Sequence, residues 1–560
     1  MEEALHAEAM NTLRKAPGEI ETSLASTTEK TKQYANNLRE IETALESRLQ
    51  SASGKLDAEE AEARRRARAE EKEASRKAED DARKKREVEE KELREQEERR
   101  LRGDDPLHTL VKPLLDRCAG NGKPFTDPDF PASDSVLPPQ KRGTKWARAR
   151  DIMGKNPKIF SKAAGDDDPI DPEDISQGEL GTCYFLSALS VAATKPYLIR
   201  SCFVTNEANE HGVFCVRFFF DGKPRHILVD DQFPISRFGK RPCFASSKQG
   251  DELWVSILEK AYAKLYKSYG AIEGGLVDEA LVNITGGIGG QSVKLRKEIV
   301  EDAEGLWAKL RRNQAAGWLM GAGSPSGSDT DISERGIVQG HAYSLLRVEE
   351  ADGHKLVQLR NPWGRTEWKG DWSDKSRLWT PRLKAQLGWE EADDGTFWMA
   401  LTDFAENFAS LYICKIPSPS WKALEVKGEW RGKTAGGCCN HPSFGDNPQY
   451  LLTVKRPTHV LIALAQSDVR GSDCDFFPIS LNCIFDKGGG RVQRLLRSHW
   501  SADTPIINSR EVSLDCLLEM KGGGKMTTYT LIPSTWDPGQ EREFHIRVFA
   551  DSQDCSLEPA

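Results

Sequence analysis

Residues 177–190, QGELGTCYFLSALS, set a cysteine between a glycine-rich run and an apolar one, and the reading of that cysteine decides the fold. The apolar run YFLSALSVAA has helical character, so Cys183 is expected at a helix N-terminus. There the helix dipole favours an anion, and a thiol ionises more readily. The thiolate, rather than the thiol, attacks carbonyl carbon, so the position suits a nucleophile. On its own, a cysteine ahead of an apolar helix is more commonly packing than chemistry. The stretch therefore needs a base and an orienting group elsewhere in the chain.

Among ten histidines, His341 stands apart. It lies in QGHAYSLLRVEE, between a glycine turn and an apolar strand, and the segment runs on through ADGHKLVQLRNPWG. Asp352 and Gly353 form a turn dipeptide between two strand-like runs. A hairpin folded there sets His341, at the start of one strand, beside Asn361, at the end of the next. An Asn carbonyl that accepts from one imidazole nitrogen fixes the tautomer and aims the other nitrogen at a thiol. Each residue alone has a plainer reading: a strand histidine, and a turn former before Pro362. Both on one hairpin complete a Cys–His–Asn constellation of the papain type. Gln177 precedes the cysteine closely. Its side-chain amide can donate to the oxyanion of acyl transfer, together with the Cys183 backbone N–H.

The rest of the chain bounds these readings. A length of 560 residues implies roughly two to four domains. A formal charge of −8 gives no basic excess, so no nucleic-acid partner is expected. No apolar stretch is long enough to cross a bilayer. No basic leader with an apolar block opens the chain, so no signal peptide is expected. Twelve cysteines, without framework spacing and without a CxxC pair, read as reduced thiols, and the expected location is cytoplasmic.

Composition shifts near residue 104. Before it Ala, Glu, Lys and Arg dominate, and tryptophan is absent. Tyr34, Leu38, Ile41, Leu45 and Leu49 recur at spacings of three and four, a narrow stripe that suits a coiled-coil seam. Beyond it the charge-dense segment keeps opposite charges at helical spacing, as in Glu98 with Arg102, and reads as a solvated spacer helix. Residues 1–104 are thus expected as a long charged helix or coiled coil, with self-association or a coiled-coil partner through 34–50. From Pro106 the chain reads as globular. VFCVRFFFDGKPRHILVDD is two strands about Asp221 and Gly222. DELWVSILEKAYAKLYKSYG is an amphipathic helix stopped by Gly270. Beyond about residue 415, runs such as QYLLTV, HVLIALAQ and FHIRVFA alternate with turns, as in an all-β sandwich.

With these residues the chain resembles the calpain family. QGELGTCYFLSA is similar to that family's Cys segment, GHAYSLL to its His segment and RNPWGRTEWKGDWSD to its Asn segment. FTDPDFP, KWARARDI, DELWVSILEKAYAKL, ITGGIGG and DDGTFWMALTDFAENF resemble further stretches of its core, in family order. GEWRGKTAGGCCNHPSFGDNPQYLL resembles the start of its C2-like β-sandwich, and the likeness runs roughly from residue 120 to 550. It implies an α+β fold with a two-lobed papain-like protease core over 105–412, the lobes being about 120–270 and about 271–412. An all-β C2-like sandwich over 416–552 follows, and the charged helical region precedes. The implied activity is that of a calcium-regulated intracellular cysteine endopeptidase making limited cuts in protein substrates. Cys183 would be its nucleophile, His341 the general base and then acid, Asn361 the orienter and Gln177 the oxyanion donor. Gly275 and Gly340 fall on glycines whose backbone holds an extended substrate. Trp363 falls on a tryptophan that obstructs the cleft when calcium is absent.

The resemblance also implies two Ca2+ sites in the core. Asp174 and Glu252 fall on carboxylates of the first, and Glu367, Asp374 and Asp394 on those of the second. Carboxylates with backbone carbonyls suit an ion that takes about six to eight oxygens. Thr396 stands where the family often has a further acid, which puts the second site in doubt. Thr182 replaces the usual Asp before the nucleophile, and Tyr184 the usual Trp after it. DTDIS at 329–333 begins like an EF-hand loop, but Glu334 and Gly340 stand where Gly and Glu are required. No EF-hand domain follows the sandwich, so no EF-hand small subunit is expected. The C2-like sandwich leaves a membrane surface open as a partner. The competing reading is a catalytically silent calpain-like scaffold that binds cytoskeletal or membrane partners. The presence of Cys183, His341, Asn361 and Gln177 together favours the enzyme. Transglutaminase-type acyl transfer would need Asp where Asn361 stands.

Overall fold

The computed structural model describes residues 106–560 apart from 155, 162–167, 237–238, 240, 473, 486–490, 497–499 and 522–525. The expected charged helix and its seam at 34–50 lie outside the described residues.

Helix α1, Cys183–Ala193, starts at the cysteine itself. Its sequence is apolar on every side, and all its residues after Cys183 are buried, so it threads the first core. Helices α2, Trp254–Leu265, and α3, Val277–Thr285, pack into the same core. That core continues through Val277, Leu281 and Ile284, past the region near 270 where the second lobe was expected to begin. α2 is enclosed rather than half-solvated: Glu259 and Lys260 are both buried, and Lys260 Nζ is paired with Asp230. The helix stops at Leu265, short of Gly270, because Lys267 adopts the left-handed region with φ 73°. Strands β1, Val213–Phe220, and β2, Lys223–Asp230, form the expected hairpin. Its turn residues Asp221 and Gly222 both have positive φ, 48° and 76°, as a tight hairpin turn requires.

The second core is built on six antiparallel strands. They are β3 Ile288–Lys294, β4 Leu319–Gly323, β5 Ala342–Ala351, β6 His354–Arg360, β7 Thr396–Ala400 and β8 Ser410–Lys415, in spatial order β7-β6-β5-β4-β8-β3. Leu306, Trp307 and Leu310 of helix α4, Leu295–Ala315, pack into this core. β5 and β6 turn at Asp352, φ 49°, and Gly353, φ 81°, and pair from His354 with Ala351 to Arg360 with Ser344. A bulge between Gln358 and Leu359 shifts the register near the far end.

A sandwich follows, its two sheets closing on alternate apolar residues. One sheet runs β9-β16-β11-β14, from strands β9 Lys422–Trp430, β11 Thr458–Gln466, β14 Glu511–Leu518 and β16 Arg542–Ala550. The other runs β13-β12-β15-β10-β17, from β10 Tyr450–Val454, β12 Pro478–Phe485, β13 Trp500–Asp503, β15 Thr527–Thr535 and β17 Cys555–Pro559.

The ITGGIGG turn docks the sandwich on the part of the chain that precedes it. Arg547 donates to the carbonyls of Gly286 and Gly287 at 2.8 and 2.9 Å and pairs with Glu511 at 2.8 Å. Glu511 in turn accepts the Gly289 N–H at 2.7 Å. Gly290 has φ 76°, and a Cβ there would lie 2.3 Å from the Glu511 carbonyl oxygen, so only glycine lets the two backbones meet. All twelve cysteines are free. No helix among the described residues is long and apolar enough to cross a membrane.

Candidate active site

His341 directly precedes β5 and Asn361 directly follows β6, so the hairpin sets both at one end of the sheet. His341 Nε2 lies 2.9 Å from Asn361 Oδ1. With the proton on Nε2, the carboxamide oxygen accepts it, and Nδ1 keeps its lone pair for another partner. Asn361 is fully buried, and its Nδ2 donates to the Thr366 carbonyl at 3.0 Å, which fixes the amide. The half-buried Trp363 ring lies tilted against the imidazole, ring centroids 5.0 Å apart, and the Trp363 backbone N–H donates to the same Asn361 oxygen at 3.1 Å.

α1 is bonded to β5 beside the histidine. The Ser187 hydroxyl donates to the Ala342 carbonyl at 2.9 Å, and the Ser344 hydroxyl donates to the Ser187 carbonyl at 3.1 Å. These bonds hold the helix that begins at Cys183 beside the start of the strand that follows His341. Among the described residues no hydrogen bond joins the thiol to the imidazole.

Burial opposes the easing of thiol ionisation expected at the helix start. Cys183 keeps part of its surface exposed, yet burial pushes the thiol up, outweighing the Ala342 and Tyr184 N–H groups that favour the anion. Burial also holds His341 down to about 4, against the help of Asn361. Both shifts favour the uncharged thiol and the uncharged imidazole.

Gln177 N–H donates to the Pro362 carbonyl at 3.0 Å, joining the cysteine's loop to the asparagine's. Its Nε2 donates to the Leu180 carbonyl at 2.9 Å, so one amide hydrogen remains for a developing oxyanion, and its Oε1 is buried without a partner. Gly275 is exposed, and a Cβ there would meet the Tyr184 ring at 2.5 Å. Gly340 has φ 57°, and a Cβ there would lie 2.2 Å from the Gly327 carbonyl oxygen, so local backbone packing already demands glycine. Clefts of about 560 and about 790 Å3 flank residues 177–181 and share Trp363 and Arg365. Neither cleft reaches Cys183 or His341. Asp329 lines the smaller one and opposes ionisation of the thiol.

Asp174 and Glu252 are both buried. Asp174 accepts from Gln249 Nε2 at 3.0 Å, and Glu252 from the Ser161 N–H at 2.8 Å. Burial, then the Asp174 charge, pushes Glu252 up to about 8. Near β7, burial pushes Glu367 up to about 7 and Asp374 up to about 6, with Asp394 adding repulsion to both. The Asp394 carboxylate accepts the Thr396 N–H at 2.7 Å, while the Thr396 hydroxyl is buried without a partner. Burial and mutual repulsion drive these carboxylates toward protonation, a cost that a divalent cation would relieve. Among the described residues no three His, Cys, Asp or Glu side chains already converge as a ready-made site. The second set would therefore have to draw together.

Three residues escaped the sequence reading. Arg360, beside Asn361, is fully buried and donates to the Ile175 and Glu173 carbonyls at 2.7 and 3.2 Å, tying the triad's sheet to the Asp174 segment. Its signal, an Arg before Asn-Pro-Trp, was quoted without a role. Asp329 belonged to a rejected calcium loop. Arg470 lies 286 residues from its partner Tyr184, and no local pattern marks it.

The sequence pattern of the calpain family cysteine protease matches residues 125–415, and that of the calpain large subunit, domain III, matches residues 426–549. Calpain-type cysteine protease ADL1 of Oryza sativa subsp. japonica is 41% identical over 455 residues, covering 76% of this chain and 21% of that protein. Calpain-type cysteine protease DEK1 of Arabidopsis thaliana is 40% identical over 466 residues, covering 77% and 21%. The chain spans about a fifth of the length of these plant relatives. Calpain-8 of Homo sapiens is 31% identical over 504 residues, covering 80% of this chain and 68% of that protein.

Proposed function

The chain belongs to the calpain family of cysteine proteases, and from that membership we propose that it is a calcium-regulated cysteine endopeptidase making limited cuts in proteins. The single observation that carries the reading is the buried His341–Asn361 bond of 2.9 Å at the end of the hairpin whose next residue, Ala342, accepts a hydrogen bond from Ser187 of the helix that Cys183 begins. In the reaction His341 Nδ1 takes the thiol proton and Cys183 Sγ attacks the scissile carbonyl carbon. The oxyanion takes hydrogen bonds from Gln177 Nε2 and the Cys183 backbone N–H. His341 returns the proton to the leaving amine as the C–N bond breaks, which leaves a thioester. His341 then deprotonates a water, whose oxygen attacks the thioester and regenerates the thiol. Asn361 holds the ring's tautomer throughout.

Asp174 with Glu252, and Glu367 with Asp374 and Asp394, would hold calcium. Bound calcium supplies positive charge that relieves the paired carboxylates. Asp174 lies three residues before Gln177, and Asp394 lies two residues before Thr396, which pairs with Arg360 beside Asn361, so ordering both groups would order both halves of the site. Trp363 against His341, and clefts that stop short of Cys183, suit a resting form. The expected substrate is an extended stretch of protein held through backbone at Gly275 and Gly340, and the expected location is cytoplasmic.

The Cys183→Ala variant is expected to lose casein cleavage by on the order of 10⁴-fold or more while keeping its circular dichroism spectrum. Cleavage persisting in a pure sample of that variant would end the proposal.

A further inference from the structure

Arg470 belongs to the sandwich, in the loop between β11 and β12, yet its guanidinium lies in the protease. Its Nη1 donates to the Gly274 carbonyl at 2.6 Å and to the Tyr184 hydroxyl at 3.3 Å. Its Nη2 pairs with Glu279 of α3 at 3.2 Å, both side chains being 16% exposed. The guanidinium carbon stands 5.3 Å from the Tyr184 ring centroid and 5.4 Å from that of Tyr266. The loop is itself anchored. Asp468 accepts the Arg470 N–H at 2.8 Å, the Tyr266 hydroxyl at 3.0 Å and Arg510 Nη1 at 3.0 Å.

What Arg470 touches adjoins the segment that carries Cys183 and the glycine expected to hold substrate. Tyr184 directly follows the nucleophile. Gly274, φ 73°, donates its N–H to the Gly181 carbonyl at 2.9 Å, on the turn that delivers Cys183. At Gly275 an added Cβ would meet the Tyr184 ring at 2.5 Å and Arg470 Nη2 at 2.8 Å. The segment is therefore clamped from three sides: by the nucleophile's turn, the tyrosine ring and the sandwich's arginine.

We propose that Arg470 is a positioning residue for the protease, seating the Gly274–Gly275 edge and the Tyr184 ring so that the sandwich completes the substrate cleft. The inference rests on the proteolytic reading above and adds to it a part played by the second domain. It also accounts for Tyr184. A guanidinium has only donors, and a tryptophan N–H is likewise a donor, so indole at this position would set donor against donor. The phenol oxygen accepts. Tyr184 and Arg470 are a matched pair, read across the domain boundary.

The test uses the full chain with calcium and the variants Arg470→Ala, Arg470→Lys, Tyr184→Phe and the double Arg470→Ala/Tyr184→Phe. kcat and KM are measured on a fluorogenic extended hexapeptide. The rate of iodoacetamide alkylation at Cys183, read by mass spectrometry, reports the nucleophile without using the cleft edge. Arg470→Ala is expected to raise KM about tenfold, the loss of one strong positioning contact, with Cys183 alkylation within about twofold of the parent. Arg470→Lys should recover part of the loss, and Tyr184→Phe should raise KM by about threefold, less than the arginine change. The double variant should be no worse than Arg470→Ala, because both act through one contact. KM values within about twofold of the parent in Arg470→Ala and Tyr184→Phe, or equal falls in kcat and alkylation with KM unmoved, overturn the proposal and leave a plain interdomain link. If Arg470→Ala fails to fold, Tyr184→Phe decides by the same criterion. A parent protein that neither cleaves nor alkylates at Cys183 overturns the proteolytic reading, and the proposal with it.

Discussion

Thr182 shows how one departure from a family pattern follows from its surroundings. It is fully buried, and its hydroxyl donates to the Glu259 carboxylate at 2.6 Å. Glu259 also accepts the Ala245 N–H at 2.8 Å, and burial pushes it up to about 7. An acid at 182 would set two carboxyl groups together in a dry core, whereas a hydroxyl satisfies the one already there. Thr182→Val is therefore expected to destabilise the chain by about 1–3 kcal/mol, since it orphans a buried acceptor; urea unfolding measures it, and an unchanged midpoint would refute the account. His341 gives the pH test. Its folded pKa of about 4 lies below the usual 6.5, so between those values the unfolded chain binds more protons than the folded one. Stability from this group is whole above pH 6.5 and is lost as the pH falls through that window. The parent should lose stability relative to His341→Gln between pH 6.5 and 4, and parallel curves would contradict the assignment. At this scale the pairing of His341 with Asn361 was legible because the turn at Asp352 and Gly353 and the lengths of the two strands carry it. The protonation state was not, because burial is a tertiary quantity that outweighs the helix start.

At the scale of elements, the hairpin about Asp352 and Gly353 was readable because both turn residues must take positive φ and few dipeptides do so readily. The end of α2 was misread by the same logic, since Lys267 takes the left-handed conformation that glycine was expected to supply. The acidic groups sit on short strands and loops: Ile175–Ser176 pairs with Ser246–Ser247 between Asp174 and Glu252. The β6–β7 pairing ends with Arg360 against Thr396, beside Asp394. Glu252→Gln and Asp374→Asn should each raise the calcium needed for half-maximal cleavage on the order of tenfold, through loss of one charged oxygen donor. Superimposable calcium titrations would count against calcium at these groups.

At the scale of the molecule, buried ion pairs of the sandwich lie against the protease, where Arg547 reaches the Gly286 and Gly287 carbonyls and Arg510 pairs with Asp221 at 3.6 Å. Arg547 with Glu511 at 2.8 Å and Arg510 with Asp468 at 3.0 Å have side chains no more than 8% exposed. Removing one partner leaves the other charged and enclosed. Arg547→Ala should cost about 3–5 kcal/mol and split one thermal transition into two; a single transition at the parent's temperature would refute the coupling. The sequence announced a sandwich, but no period or motif joined Arg547 to Gly286 or Arg470 to Tyr184. Such pairs arise only when distant segments fold together.

The central claim is that Cys183 is the working nucleophile of a calcium-regulated peptidase. Its most direct test is mass-spectrometric mapping of a peptidyl epoxide on the full chain, with and without calcium. The account predicts adduct at Cys183 alone among the twelve cysteines, forming faster with calcium and absent in His341→Ala. A folded protein that takes no adduct in either condition, or takes it at exposed Cys439 or Cys474 instead, would contradict it.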